Sequence, residues 1–186
     1  MSDVAGLAEL ARGLERHGIE LWATEGTRRA VREAVPNIRS VEELTGIGRW
    51  FGGRIKTLHP GVLGGILAPG TPEGRKELAE RGLLAFDLVV VNFYPFESRA
   101  RDSPGPVGLE EFVDVGGVTL ARAAAKNHAA VAVVTSPEEY AGLLQELELG
   151  DGSLGAGVRY ALAGRAFARV EAYDGAIARA FAPSPP

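Results

Sequence analysis

Two uninterrupted runs of branched apolar residues govern what this chain can become. Asp87–Asn92 reads Asp-Leu-Val-Val-Val-Asn, and Ala130–Val134 reads Ala-Val-Ala-Val-Val. Neither alternates with polar residues, so each predicts a strand covered on both faces, as in a parallel sheet with helices above and below. Helical patterns fill the stretches between and around them. Leu7, Leu10, Ala11 and Leu14 recur at helical spacing, and Gly18 closes that helix. Thr71-Pro72-Glu73 is a helix start, with a threonine cap, a proline in the first turn and an early acid. Val118–Lys126, Pro137–Leu147 and Leu154–Phe181 read as further helices, Ile19–Ala23 as a short strand, and Val62–Leu67 as a short strand or loop. Strands alternating with helices predict an α/β layered domain with a mostly parallel sheet.

The chain has 186 residues, of which 46% are hydrophobic and 24% charged, enough for one domain with a proper core. We expect that domain over residues 1–181, with 182–186 a loose proline-rich tail. Lys+Arg 20 against Asp+Glu 24 leaves −4, too weak a charge to imply a nucleic-acid surface. The absence of cysteine removes disulfides and thiol nucleophiles from consideration and fits a reducing compartment. The N-terminus carries Asp3, Glu9 and Arg12 among its apolar residues, unlike a signal peptide, and no apolar run approaches a bilayer span. The expectation is a soluble, cytoplasmic protein.

Twenty-five glycines, many clustered, point to backbone that must be approached closely. Gly46-Ile47-Gly48 resembles a dinucleotide fingerprint but has Phe51 where the third glycine belongs. A phosphate-loop pattern is missing, His17, His59 and His128 lack ligand spacing, and no serine sits in a nucleophile elbow, so a metal or acyl-enzyme mechanism would have to be built from nothing. An anionic ligand is better supported. Thr24-Glu25-Gly26-Thr27 joins a strand to a helix, placing hydroxyls and free N–H groups at a helix start, although a threonine there also serves simply as a cap. Arg54, Lys56 and Thr57 add cations and donors from a loop, which by themselves read as ordinary surface polarity. Asn92 and Tyr94 follow the C-terminal end of the best strand, where ligands of open α/β sheets gather. Asp114 precedes a helix that Lys126 ends, which fits either a site or a capping acid and a solvated amine at favourable dipole ends.

Taken together, three blocks are more specific than their parts. Arg54–Pro60 (Arg-Ile-Lys-Thr-Leu-His-Pro), Val89–Phe96 (Val-Val-Val-Asn-Phe-Tyr-Pro-Phe), and Asp114–Thr119 followed by Arg122–His128 resemble the inosine monophosphate cyclohydrolase domain of the bifunctional purine-biosynthesis enzyme. The resemblance runs from Ser2 to about Phe181. It implies a methylglyoxal-synthase-like three-layer α/β/α fold with a five-stranded, mostly parallel sheet. It also implies a homodimer that closes the ring of 5-formamidoimidazole-4-carboxamide ribonucleotide to inosine monophosphate and water, without a cofactor. Position by position, Lys56, Tyr94, Asp114 and Lys126 match the catalytic groups, the last two as a pair that moves protons. Arg54, Thr57, Asn92, Val115 and Gly116 match substrate contacts. Ser2, Asp3, Thr24, Glu25, Gly26 and Thr27 match the nucleotide-binding, largely phosphate-holding loops.

Departures from the family pattern sit on the phosphate side. Ser-Asp-Lys is Ser2-Asp3-Val4 here, which removes an ammonium, and Glu25 stands where a small neutral residue is usual. A carboxylate there repels phosphate unless it points outward or pairs with Arg28 or Arg29. The family strand that precedes Ser-Asp-Lys has no counterpart, since only Met1 precedes Ser2. The expectation is a gap in the sheet, filled from an upstream start, another segment or a partner chain. The family's transformylase half is also absent, so a separate transformylase chain is one expected partner. Two rivals share the fold: a non-catalytic regulatory nucleotide-binding module, whose style Ala23–Thr27 approaches, and a cyclohydrolase with an altered substrate.

Overall fold

In the computed structural model residues 3–48, 50–102 and 108–182 are described. The expected loop at Ser103–Pro106 and the tail from Pro183 lie outside them, as does Ser2.

The apolar stripe of the first segment forms helix α1 (Leu7–Arg16), burying Leu7, Leu10, Ala11 and Leu14. Gly18, at φ 72°, takes the left-handed conformation that releases the chain from the helix. Strand β1 (Trp22–Ala23), helix α2 (Glu25–Val31), strand β2 (Arg39–Ser40) and helix α3 (Val41–Thr45) follow. A short 3-10 turn, Trp50–Gly53, leads to α4 (Pro60–Leu67) and α5 (Pro72–Glu80). Then come β3 (Leu88–Val90), α6 (Phe96–Asp102), a 3-10 turn at Leu109–Phe112, α7 (Val115–Lys126) and β4 (Ala132–Val134). The chain ends in α8 (Tyr140–Leu149) and the long α9 (Ala156–Ala180).

Residues 62–67, expected as strand or loop, are helical. The His59 side chain accepts from Gly61 N (3.0 Å) and caps α4, and Pro60 fits its first turn. Gly65 is needed there, because a β-carbon would run into the Leu84 carbonyl and the Phe86 ring. Thr71 caps α5 as its sequence predicts, accepting from Gly74 N at 3.2 Å.

Both strand pairs are parallel: Trp22 faces Arg39 and Ala23 faces Ser40, while Leu88–Val90 lies in register with Ala132–Val134. The five-stranded sheet is not formed; the described residues make two separate two-stranded sheets, β1–β2 and β3–β4. The physical reason is a space between β1 and β3 that no described strand enters. The three layers are present nonetheless. Along β4, Val133 joins a core with Ile66, Ala121, Ala124, Ala166 and Val170, beneath α4, α7 and α9. Ala132 and Val134 face the opposite way, into a second core with Leu10, Leu14, Leu143 and Leu147 of α1 and α8. The alanine face of α7 lets α9 approach closely. No helix among the described residues is long and apolar enough to cross a membrane.

Candidate active site

Several of the candidate groups gather where α7 begins, beside the segment that follows β3. The last turn before α4 carries Lys56 and Thr57. Gly53, at φ 95°, lets the chain fold back so that the lysine lies over it; a β-carbon at Gly53 would collide with the Lys56 side chain. Thr57 touches the first turn of α7: its Oγ1 stands 3.0 Å from where a β-carbon of Gly116 would be. Gly116 thus lets Thr57 of the cationic loop lie against the start of the helix.

Asp114 is the N-cap of α7, its Oδ1 accepting from Gly117 N at 2.7 Å. The capping role is thus real, and one carboxylate oxygen is committed to it. Val115 is exposed at the first helical position. Helix geometry leaves the N–H groups of this first turn without intrahelical partners, aimed outward with the positive end of the dipole.

Tyr173 of α9 ties this corner to the segment after β3. Its hydroxyl accepts from Asp114 N (2.9 Å) and donates to the Phe112 carbonyl (3.2 Å). Its ring packs on Phe93 at 5.1 Å between centroids. Burial pushes its hydroxyl pKa up, against the opposing hydrogen bond from the Asp114 backbone. Tyr94 stands next to it, 44% exposed, at the rim of a hollow of about 250 Å³ that Arg101, Arg169 and Tyr173 also line. Tyr173 was invisible in the sequence, where it is one apolar-face residue of a helix far along the chain; only its buried hydroxyl reveals the link.

Other expected contacts are placed differently. The Asn92 amide is spent on the N-terminal segment, donating from Nδ2 to the Asp3 carbonyl (2.7 Å) and accepting from Asp3 N (3.2 Å). The Asp3 carboxylate accepts from Ala5 N at 2.8 Å. Arg54 is paired with Glu111, which holds its guanidinium above the usual arginine range. Glu111 also escaped the sequence reading, since nothing in its spacing links it to Arg54.

At the end of β1, Thr24 precedes α2 without capping it; its hydroxyl donates to Thr27 Oγ1 at 3.4 Å. Glu25 pairs with Arg28 (3.3 Å) and Arg29 (3.8 Å), so its charge is locally compensated. A β-carbon on Gly26 would meet nothing within 4 Å. Lys126 lies at the other end of α7 from Asp114. It is exposed at the far end of α7, and twelve residues of helix set it about 18 Å from Asp114 along the axis. The structure does not bring those two together.

With the site in place, comparison with known proteins is informative. Residues 6–128 match the MGS-like domain family. The chain belongs to that family. Residues 124–185 of this MGS-like protein further match the family described as AICARFT/IMPCHase bienzyme. Among curated relatives, the bifunctional purine biosynthesis protein PurH of Xanthomonas euvesicatoria pv. vesicatoria is 47% identical over 179 residues, covering 95% of this chain and 34% of that protein. PurH of Mesorhizobium japonicum is 44% identical over 181 residues, covering 97% and 34%. The MGS-like chain thus spans about a third of the length of the curated relatives it matches. Among solved structures, that of ForH superposes with a TM-score of 0.84 at 39% identity, covering 97% of this chain and 95% of that one.

Proposed function

We propose that this MGS-like domain is an inosine monophosphate cyclohydrolase, closing the pyrimidine ring of 5-formamidoimidazole-4-carboxamide ribonucleotide. One observation supports it above the others. Lys56, Thr57, the capped start of α7 at Asp114 and, through Tyr173, the segment bearing Tyr94 meet at one corner. The match to relatives named for purine biosynthesis points the same way.

In this reaction the carboxamide nitrogen adds to the formyl carbon of the same molecule. The carboxamide and formamido nitrogens each give up one proton, and the formyl oxygen leaves with both as water. Because both reactants are already joined, the protein's tasks are orientation, stabilisation of the negative oxygen and proton movement. Lys56 is the cation for the oxygen that gains charge. The first-turn N–H groups at Val115 and Gly116 hold the carboxamide, and Asp114 takes the proton from its nitrogen with the carboxylate oxygen that capping leaves over. Tyr94 relays a proton to the departing oxygen. Thr24–Thr27 and Asp3 hold the ribose phosphate, with Arg28 and Arg29 balancing Glu25 beside it. Lys126 lies too far along α7 to touch Asp114 of the same chain. A transformylase supplies the formylated substrate, as a linked domain or a separate chain, and we place the protein as a homodimer in the cytoplasm.

Replacing Lys56 by methionine tests this assignment. We expect kcat to fall by about 10²–10³ with the nucleotide still bound, the range for loss of one oxyanion donor. Turnover at the unmodified rate would remove Lys56 from the mechanism.

A further inference from the structure

The Asp114 carboxylate is held in a way that the helix it caps does not by itself provide. In a capping box the third helical residue is a glutamate or glutamine, which reaches back to the N–H of the capping residue. The third residue of α7 is Gly117, which has no side chain to do so. A side chain is excluded there: its β-carbon would lie 2.6 Å from Asp114 Oδ2 and 3.0 Å from Oδ1. The glycine thus makes room for the carboxylate and leaves the Asp114 N–H without that local partner. Tyr173 takes the place from 59 residues along the chain, its hydroxyl accepting from Asp114 N at 2.9 Å. The same hydroxyl donates to the Phe112 carbonyl at 3.2 Å, so one side chain holds the turn before α7 at two points.

The hydroxyl can hold that turn because its ring has little freedom. Tyr173 is buried, with its ring centroid 5.1 Å from that of Phe93 and 6.3 Å from that of Phe96. Those two phenylalanines flank Tyr94 and Pro95, so the residue that anchors Asp114 also packs beside the segment bearing Tyr94. A buried tyrosine hydroxyl needs a partner wherever it lies. Here both of its bonds go to one short turn, Phe112–Asp114, which ends at the candidate base. Glu111, just before that turn, pairs with Arg54 of the loop bearing Lys56. The turn therefore connects the cationic loop to the carboxylate, and Tyr173 fixes it.

We propose that Tyr173 is a positioning residue for ring closure: without touching substrate, its hydroxyl fixes the Asp114 backbone so that Oδ2, the oxygen left over from capping, is in line to take the proton. This rests on the cyclohydrolase reading of the corner and adds to it a residue outside the matched motifs. Tyr173→Phe keeps the ring and removes both hydrogen bonds. Turnover is measured well below the Tm of every variant, where differences in stability do not change the folded fraction. We expect kcat to fall about ten- to a hundredfold with KM changed less than about threefold, the pattern of a misplaced catalytic group. In the Asp114→Asn background the same substitution should lower kcat less than about twofold, because residues that act as a unit are not additive. Equal losses in the two backgrounds would mean general distortion of the corner and would overturn the proposal, as would an unchanged kcat or an effect on KM alone. A second variant, Tyr173→4-aminophenylalanine, keeps a donor for the Phe112 carbonyl but accepts poorly from Asp114 N. Its kcat should match that of Tyr173→Phe, and native kcat would overturn the proposal; should Tyr173→Phe fail to fold, this variant decides alone. A native chain without turnover would sink the cyclohydrolase reading and this inference with it, whereas native turnover undiminished in the variants sinks the inference only.

Discussion

Single residues set the geometry of the proposed site, and Gly53 is the most demanding of them. Its φ of 95° belongs to glycine, and Lys56 occupies the space a side chain would need. Gly53→Ala should therefore displace the lysine and lower kcat at least tenfold, at a stability cost of about 1 kcal/mol, measured by turnover and thermal denaturation. An alanine variant with normal kcat would show that the lysine's placement does not matter. Tyr140 offers a test of burial instead. Its hydroxyl is buried without a well-formed hydrogen bond, and desolvation pushes its pKa up to about 12. The folded state thus keeps the proton more tightly than the unfolded chain, whose tyrosine titrates near 10. The stabilisation is complete below pH 10 and is lost as pH rises from there towards 12, at up to about 1.4 kcal/mol per pH unit. Tyr140→Phe should remove that alkaline slope from denaturation curves while leaving stability at pH 7 nearly unchanged.

At the scale of elements, α7 carries two duties that one aspartate performs. Asp114→Asn keeps a capping oxygen, so stability should stay within about 0.5 kcal/mol while kcat falls by about 10² or more. Asp114→Ala should add a loss of about 1 kcal/mol for the missing cap. Equal activity of the asparagine variant and the native chain would leave the cap as the residue's whole role. The start of α2 makes a second case. Glu25→Gln frees Arg28 and Arg29, and should tighten binding of a nucleotide 5′-phosphate by about fivefold, read by titration calorimetry. Elements were legible in the sequence where local chemistry acts alone: the apolar stripe of α1, the Thr71 cap of α5 and the valine runs of β3 and β4. Residues 62–67 misled because two internal glycines and an apolar run look strand-like. The helix exists through the His59 cap and the close approach of Gly65 to the Leu84 carbonyl, a contact made by chain 19 residues away.

At the scale of the whole molecule, the three layers followed from runs that need cover on both faces, and the alternation along β4 shows both covers in place. The single five-stranded sheet did not follow, because strand order and continuity depend on which edges find partners, and the edges of β1 and β3 face a cavity instead. The site divides in the same way. Lys56, Thr57, Asp114 and Gly116 were legible as motif residues and are brought together. Tyr173 and Glu111 were not, because their roles come from contacts between distant elements. Lys126 sat in a legible motif, but a straight helix carries it away from Asp114. The central claim is that this corner performs ring closure, and direct assay decides it. The purified chain, incubated with the formamido ribonucleotide and followed in the ultraviolet, should form inosine monophosphate at a rate proportional to protein, with the rate lost in Lys56→Met. Tight nucleotide binding with no product above the protein-free rate would contradict the account and leave a regulatory binding module in its place.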